Sequence, residues 1–158
     1  MKKNPFKTVP NAPQPLSFTV ERRVRFEEVD ALGIVWHGRY PSYFEDVREA
    51  LGDHYGIGYL DFFKNGIAAP IRQLHFDYVH PLQLREQFTI KGELHWSEAA
   101  RLNFTYRIFN GQGKLTTSGY SVQMMLNYQD KAILMVPPPF IQTFLKRWRQ
   151  GVNLGGAS

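Results

Sequence analysis

The apolar residues of this chain change period once, and that change limits the folds open to it. Tyr40, Tyr43, Phe44, Val47 and Leu51, with Tyr55 beyond them, recur at spacings of three and four. That is the stripe of one amphipathic helix, and Glu45, Asp46 and Glu49 fall off it. Pro41 is compatible only with a first turn, which predicts a helix start near residues 38–41. Gly52, Gly56 and Gly58 weaken helix further on, and Tyr59 to Lys64 reads as a short second helical piece.

From Ala69 the period becomes two. Leu74, Phe76 and Tyr78 oppose Gln73, His75 and Asp77, and His80-Pro81 ends the run. Phe88, Ile90, Leu94 and Trp96 form a second row with Gly92 in it, and Leu102, Phe104, Tyr106 and Ile108 form a third. Ser97 to Ala100 joins these two as a hairpin, and Asn110 to Gly113 makes the next turn. Tyr120, Val122, Met124 and Leu126 predict the apolar row of a long strand, which Ile133 to Val136 extends or caps. Pro137-Pro138-Pro139 breaks the sheet before a terminal helix over Phe140 to Arg149. Upstream, Phe18, Val20, Val24 and Phe26 alternate with polar residues as far as Glu27, interrupted at Arg22. One long helix against several strands is an α+β chain with a mainly antiparallel sheet, curved around the helix. The expected organisation is an extended or disordered arm over 1–16, a domain over 17–150 and a tail over 151–158. Four prolines within the first fifteen residues motivate the arm.

The segment between the first strand and the helix carries the chemistry. Asp30 ends a strand-like run, a turn containing Gly33 follows, and His37 precedes the helix. A helix start leaves backbone N–H groups free, and such groups can bind a developing oxyanion. Read alone, an aspartate after a strand is more often a turn or capping residue than a catalyst. Gly33 alone is as readily an ordinary turn glycine, and His37 a neutral histidine supporting the turn. Glu45 and Arg48 read as an i,i+3 ion pair. Tyr40, Tyr43 and Phe44 read as core or pocket wall.

Asp30, Gly33, Ile34, Val35, His37, Tyr40, Glu45 and Arg48 together resemble the active-site signature of hotdog-fold acyl-CoA thioesterases of the 4-hydroxybenzoyl-CoA thioesterase type. The resemblance continues more weakly from about Phe18 to Phe140. It implies a hotdog fold and hydrolysis of an acyl-CoA or acyl-carrier-protein thioester. It implies Asp30 as nucleophile or general base, and His37 as a hydrogen-bonding partner of the thioester carbonyl or of Asp30. It also implies an oxyanion site at the backbone of His37 or Gly38, and a homodimer or homotetramer with active sites between subunits. Phe26 stands where the family has a tyrosine, and Glu28-Val29 where it has Asp-Thr. Those departures motivate a second reading, a non-hydrolytic acyl-thioester-binding subunit; a third, a β-hydroxyacyl dehydratase of the same fold, shares the helix-N-terminus logic but fits the front motif less well.

Other chemistries find less support. There is no cysteine, which excludes thiolate nucleophiles and disulfides. No Gly-x-Ser-x-Gly elbow occurs, and Gly111-Gln112-Gly113-Lys114 fails the phosphate-loop spacing. His75 and Asp77 share a strand face but His80 does not, so no metal or other cofactor is expected. The net charge of +5 comes in part from Lys2, Lys3 and Lys7 and from Lys146, Arg147 and Arg149. Without a basic-aromatic signature these read as solvated ends, not a nucleic-acid surface. No apolar run is long enough to span a bilayer, and the N-terminus lacks the core of a secretory signal, so the expected location is the cytoplasm.

Overall fold

The structure, a computed structural model, describes residues 4–151. The lysines at 2 and 3 and the tail beyond Gly151 lie outside the described residues. Strand β1 (Leu16–Arg23) leads through a 3-10 turn (Phe26–Glu28) and a short loop to a second 3-10 turn (His37–Arg39). That turn runs directly into helix α1 (Tyr40–Tyr55), and α2 (Tyr59–Lys64) follows. Then come β2 (Ile67–Ala68), β3 (Ile71–Tyr78), β4 (Gln87–His95), β5 (Arg101–Asn110), β6 (Leu115–Met124), β7 (Leu126–Asn127) and α3 (Pro139–Arg149). The five long strands form one sheet in the order β1-β4-β5-β6-β3, with every pairing antiparallel. β2 and β7 pair separately. This is the α+β hotdog architecture, a sheet wrapped around one long helix.

Helix α1 sits on the sheet where the sheet lacks side chains. Phe44 stacks between Phe76 and Tyr106, at centroid distances of 4.6 and 4.2 Å. Beneath it lies Gly119, where a Cβ would collide with the Phe44 ring and the His75 carbonyl oxygen. Val47 lies over Gly92, where a Cβ would meet its methyl groups at 3.1 and 3.2 Å. Both glycines are therefore required by close approach. Tyr43, Val47 and Leu51 complete the buried face of the helix.

Three expectations need correction. The first strand does not run to Glu27: it ends at Arg23, because the Glu28 carboxylate accepts from the Arg25 N–H at 2.8 Å and folds Phe26–Glu28 into a 3-10 turn. Tyr120, Val122 and Met124 do not face the helix. Register pairs Thr117, Gly119 and Ser121 with Ile108, Tyr106 and Phe104, so the helix side of β6 is its small-residue side. Leu126 belongs to β7, and Ile133 makes one bridge to it while Met135 and Val136 are exposed. Glu45 and Arg48 do not pair either. Arg48 donates to the Tyr106 hydroxyl at 3.2 Å, and that hydroxyl is bonded to Ser121 at 2.6 Å. Tyr106 is buried, so the guanidinium finds there an acceptor that an exposed carboxylate one turn away does not match.

The outer face of the sheet is partly covered by the segment before β1. Phe6 packs against His95 and Tyr120. Trp148 of α3 donates its indole N–H to the Gln14 carbonyl at 3.0 Å and meets Trp96 edge to face.

Candidate active site

The loop that carries Asp30 is a small hairpin closed by hydrogen bonds. Val29 bridges Val35, the Asp30 N–H donates to the Ile34 carbonyl at 2.9 Å, and the Gly33 N–H returns to the Asp30 carbonyl at 3.0 Å. Gly33 has φ +74, and a Cβ there would meet nothing within 4 Å. Conformation, not crowding, is what this position needs. The hairpin is anchored to the chain before β4: Val35 donates to the Leu82 carbonyl and Leu84 to that of Gly33. Asp30 is exposed. One carboxylate oxygen accepts from the Leu32 N–H at 2.8 Å, which orients the side chain and leaves its second oxygen without a partner among the described residues.

His37 opens the 3-10 turn that becomes α1. Among the described residues, the backbone N–H groups of His37 and Gly38 donate to no protein acceptor, as expected of a first helical turn. Both residues are exposed. Gly38 is covered by the indole of Trp36, which occupies the space a Cβ would need. The Trp36 and His37 rings lie 5.1 Å apart.

The structure thus holds Asp30, Gly33, His37 and Gly38 on one continuous hydrogen-bonded segment. It puts Tyr40 and Phe26 elsewhere. Tyr40 is 2% exposed and packs edge to face on Tyr43 and Tyr78, so it belongs to the core under the site. Burial raises its phenol pKa, and hydrogen bonds to Leu82 and Thr117 oppose the rise. Phe26 is 82% exposed on the turn before the hairpin and lines neither of the two cavities described below. Glu28 lies beside Tyr43, whose phenol pKa is raised by burial first and by that carboxylate second.

Two residues that contribute to the site were not singled out from sequence. Tyr78, read only as part of a strand row, donates its hydroxyl to the His37 carbonyl at 2.9 Å. Trp36 forms a half-exposed wall over Gly38. An aromatic residue immediately before the histidine was the available signal for the second; nothing local signals the first.

A cavity of about 790 Å³ lies further along, between the C-terminal half of α1, α2, and the β2–β7 pair. A smaller one of about 290 Å³ separates residues 5–7 from the outer sheet face. Neither is lined by Asp30 or His37.

An α+β domain of this topology, one five-stranded antiparallel sheet around a long helix, is the hotdog fold. The chain belongs to the thioesterase-like superfamily, whose family profile matches residues 24–146. It is an enzyme of that hydrolytic family. It is 28% identical over 93 residues to the acyl-CoA thioester hydrolase YbgC of Escherichia coli O6:H1, covering 59% of this chain and 69% of that one. It is 28% identical over 113 residues to the chloroplastic acyl-acyl carrier protein thioesterase ATL3 of Arabidopsis thaliana, covering 70% and 60%. In fold it is similar to the DHNA-CoA thioesterase of Staphylococcus aureus, with a TM-score of 0.72 at 24% identity over 85% of this chain and 87% of the other. Among the described residues, no helix is long and apolar enough to cross a membrane.

Proposed function

We propose that this protein hydrolyses an acyl-CoA or acyl-carrier-protein thioester at the Asp30 hairpin. The observation that carries this reading is the oriented, solvent-accessible Asp30 carboxylate on the segment that also presents the undonated His37 and Gly38 amides. With the thioester carbonyl oxygen on those amides, negative charge that develops at the tetrahedral stage is met by two N–H donors. Asp30 then acts in one of two ways. As a nucleophile it adds to the carbonyl carbon, the C–S bond breaks, and water hydrolyses the resulting mixed anhydride. As a general base it takes a proton from the attacking water, and the thiolate leaves from the same carbon. A thiol of pKa about 8.5, by analogy with cysteine, departs without a strong general acid. His37 supports the carbonyl or orients Asp30 with its ring.

The functional unit in this reading is at least a homodimer. Among the described residues β3 pairs on one flank only, at the sheet edge, and Ile71, Leu74 and Tyr78 are exposed along the strand. A long exposed apolar edge is normally covered, and a second copy of the same strand is the self-complementary way to cover it.

Asp30→Asn tests the assignment across a panel of acyl-CoAs and acyl-carrier proteins. The expected result is a loss of at least about 100-fold in kcat with substrate binding retained. Equal turnover by the two proteins would remove Asp30 from the reaction.

A further inference from the structure

We propose that the cavity between α2 and the β2–β7 pair receives the acyl chain of the substrate, and that this chain is aliphatic, of about ten carbons or more. The inference rests on the thioesterase reading above and adds the class of acyl group.

The cavity's size and lining carry the argument. About 790 Å³ lies in the range of pockets that enclose a drug-sized ligand. Its walls come from Ile57, Phe62, Leu102, Phe104, Ala68 and Leu126, among others. Charged lining is confined to α1, at Glu45, Arg48 and Glu49. Arg48 is tied down onto the Tyr106 hydroxyl. The wall formed by α2, β2 and β7 presents hydrocarbon and ring faces, with Tyr59, Phe63 and Tyr128 at a half-open rim. Apolar space of this size is poorly suited to water alone. A two- to four-carbon acyl group would leave most of it wet, and so would a single aryl ring. A saturated chain needs no hydrogen-bond partner on the α2 side and gains about 0.8 kcal/mol for each methylene it buries.

Position supports the same assignment. The cavity is also lined by Pro70 and Ile71, at the start of edge strand β3, while Tyr78 at the far end of β3 holds the His37 carbonyl. Antiparallel pairing of two copies along β3 brings the start of one strand beside the end of the other. In such a pairing the Pro70–Ile71 end of one cavity lies toward the Tyr78 end of β3 in the second copy, the end bonded to His37, so the proposed acyl path crosses the interface.

The test is a series of straight-chain acyl-CoAs from butyryl to lauroyl, with benzoyl-CoA as the aryl arm, on wild type and Ala68→Phe. Wild-type kcat/KM should rise at least about 30-fold from butyryl- to lauroyl-CoA, a fraction of what eight buried methylenes could supply. Ala68→Phe, which narrows the cavity from β2, should lower the lauroyl-to-butyryl ratio at least about fivefold. Calorimetric binding to the Asp30→Asn protein should show the same chain-length rise without turnover. A flat or falling series, a preference for benzoyl-CoA over lauroyl-CoA, or an unchanged ratio in folded Ala68→Phe would overturn the proposal. Tight, length-dependent binding in a wild-type protein that hydrolyses nothing would defeat the thioesterase reading and leave the cavity assignment standing.

Discussion

The Tyr78 hydroxyl donates a 2.9 Å hydrogen bond to the carbonyl oxygen of His37. This bond ties the last residue of the edge strand β3 to the first residue of the turn that opens α1. It spans 41 residues of sequence and fixes the orientation of the His37–Gly38 peptide plane, which carries the Gly38 N–H.

Tyr78→Phe removes that tie and keeps the ring stacked near Phe76 and Tyr40. A neutral hydrogen bond of this kind is worth about 1 kcal/mol. The expected outcome is a fall in kcat of about fivefold with KM little changed, because amide orientation matters most when charge develops on the oxygen. Steady-state kinetics on the preferred acyl-CoA would check it. A change confined to KM would mean that the strut does not act on the reacting carbonyl.

Gly33→Ala adds a methyl group where there is room but where φ is +74. The left-handed backbone costs an alanine roughly 1–2 kcal/mol. Urea denaturation should show a loss of that order, with Gly33→Asn recovering part of it. An unchanged midpoint would mean that the hairpin re-forms with a different turn.

His95 gives the molecule a pH dependence of defined sign. Burial lowers its pKa from the usual 6.5, with Glu93 opposing the shift. The unfolded chain therefore takes up the proton at higher pH than the folded one. This contribution to stability is complete above pH 6.5 and is lost as pH falls toward the lowered folded value. His95 also shares a 2.7 Å hydrogen bond with Thr105. In thermal melts at pH 7.5, 6.5 and 5.5, wild type should lose more Tm on acidification than His95→Gln. Parallel losses would mean that His95 does not supply the linkage.

Much of the fold is readable from side-chain period because burial selects hydrophobicity on the helix stripe and on β4 and β5. Helix α1 begins where Pro41 requires, and α2 covers Tyr59 to Lys64. β6 defeats that logic. Its helix-facing residues are Thr117, Gly119 and Ser121, small or polar, with Gly119 directly under Phe44, while Val122 is buried on the opposite face. A reading that follows apolar residues therefore turns this strand over. In β1 the alternation continues past Arg23 although the chain turns there, where the Glu28 carboxylate accepts from the Arg25 N–H and closes the Phe26–Glu28 turn. The segment from Asp30 to Gly38 is legible because its parts are neighbours in sequence. Tyr78 and the Arg48–Tyr106 bond are not, because their partners lie 41 and 58 residues away.

The glycines at 92 and 119 act at a distance from the chemistry. They let the helix settle low on the sheet, and a rigid rod lowered at its middle carries its tip with it. A single methyl added at either place would jack the rod upward and shift its leading amides relative to the Asp30 loop, which is moored separately to Leu82 and Leu84. Alignment of the two halves of the site is in this sense set by an altitude, fixed by hydrogen atoms in the floor of the sheet.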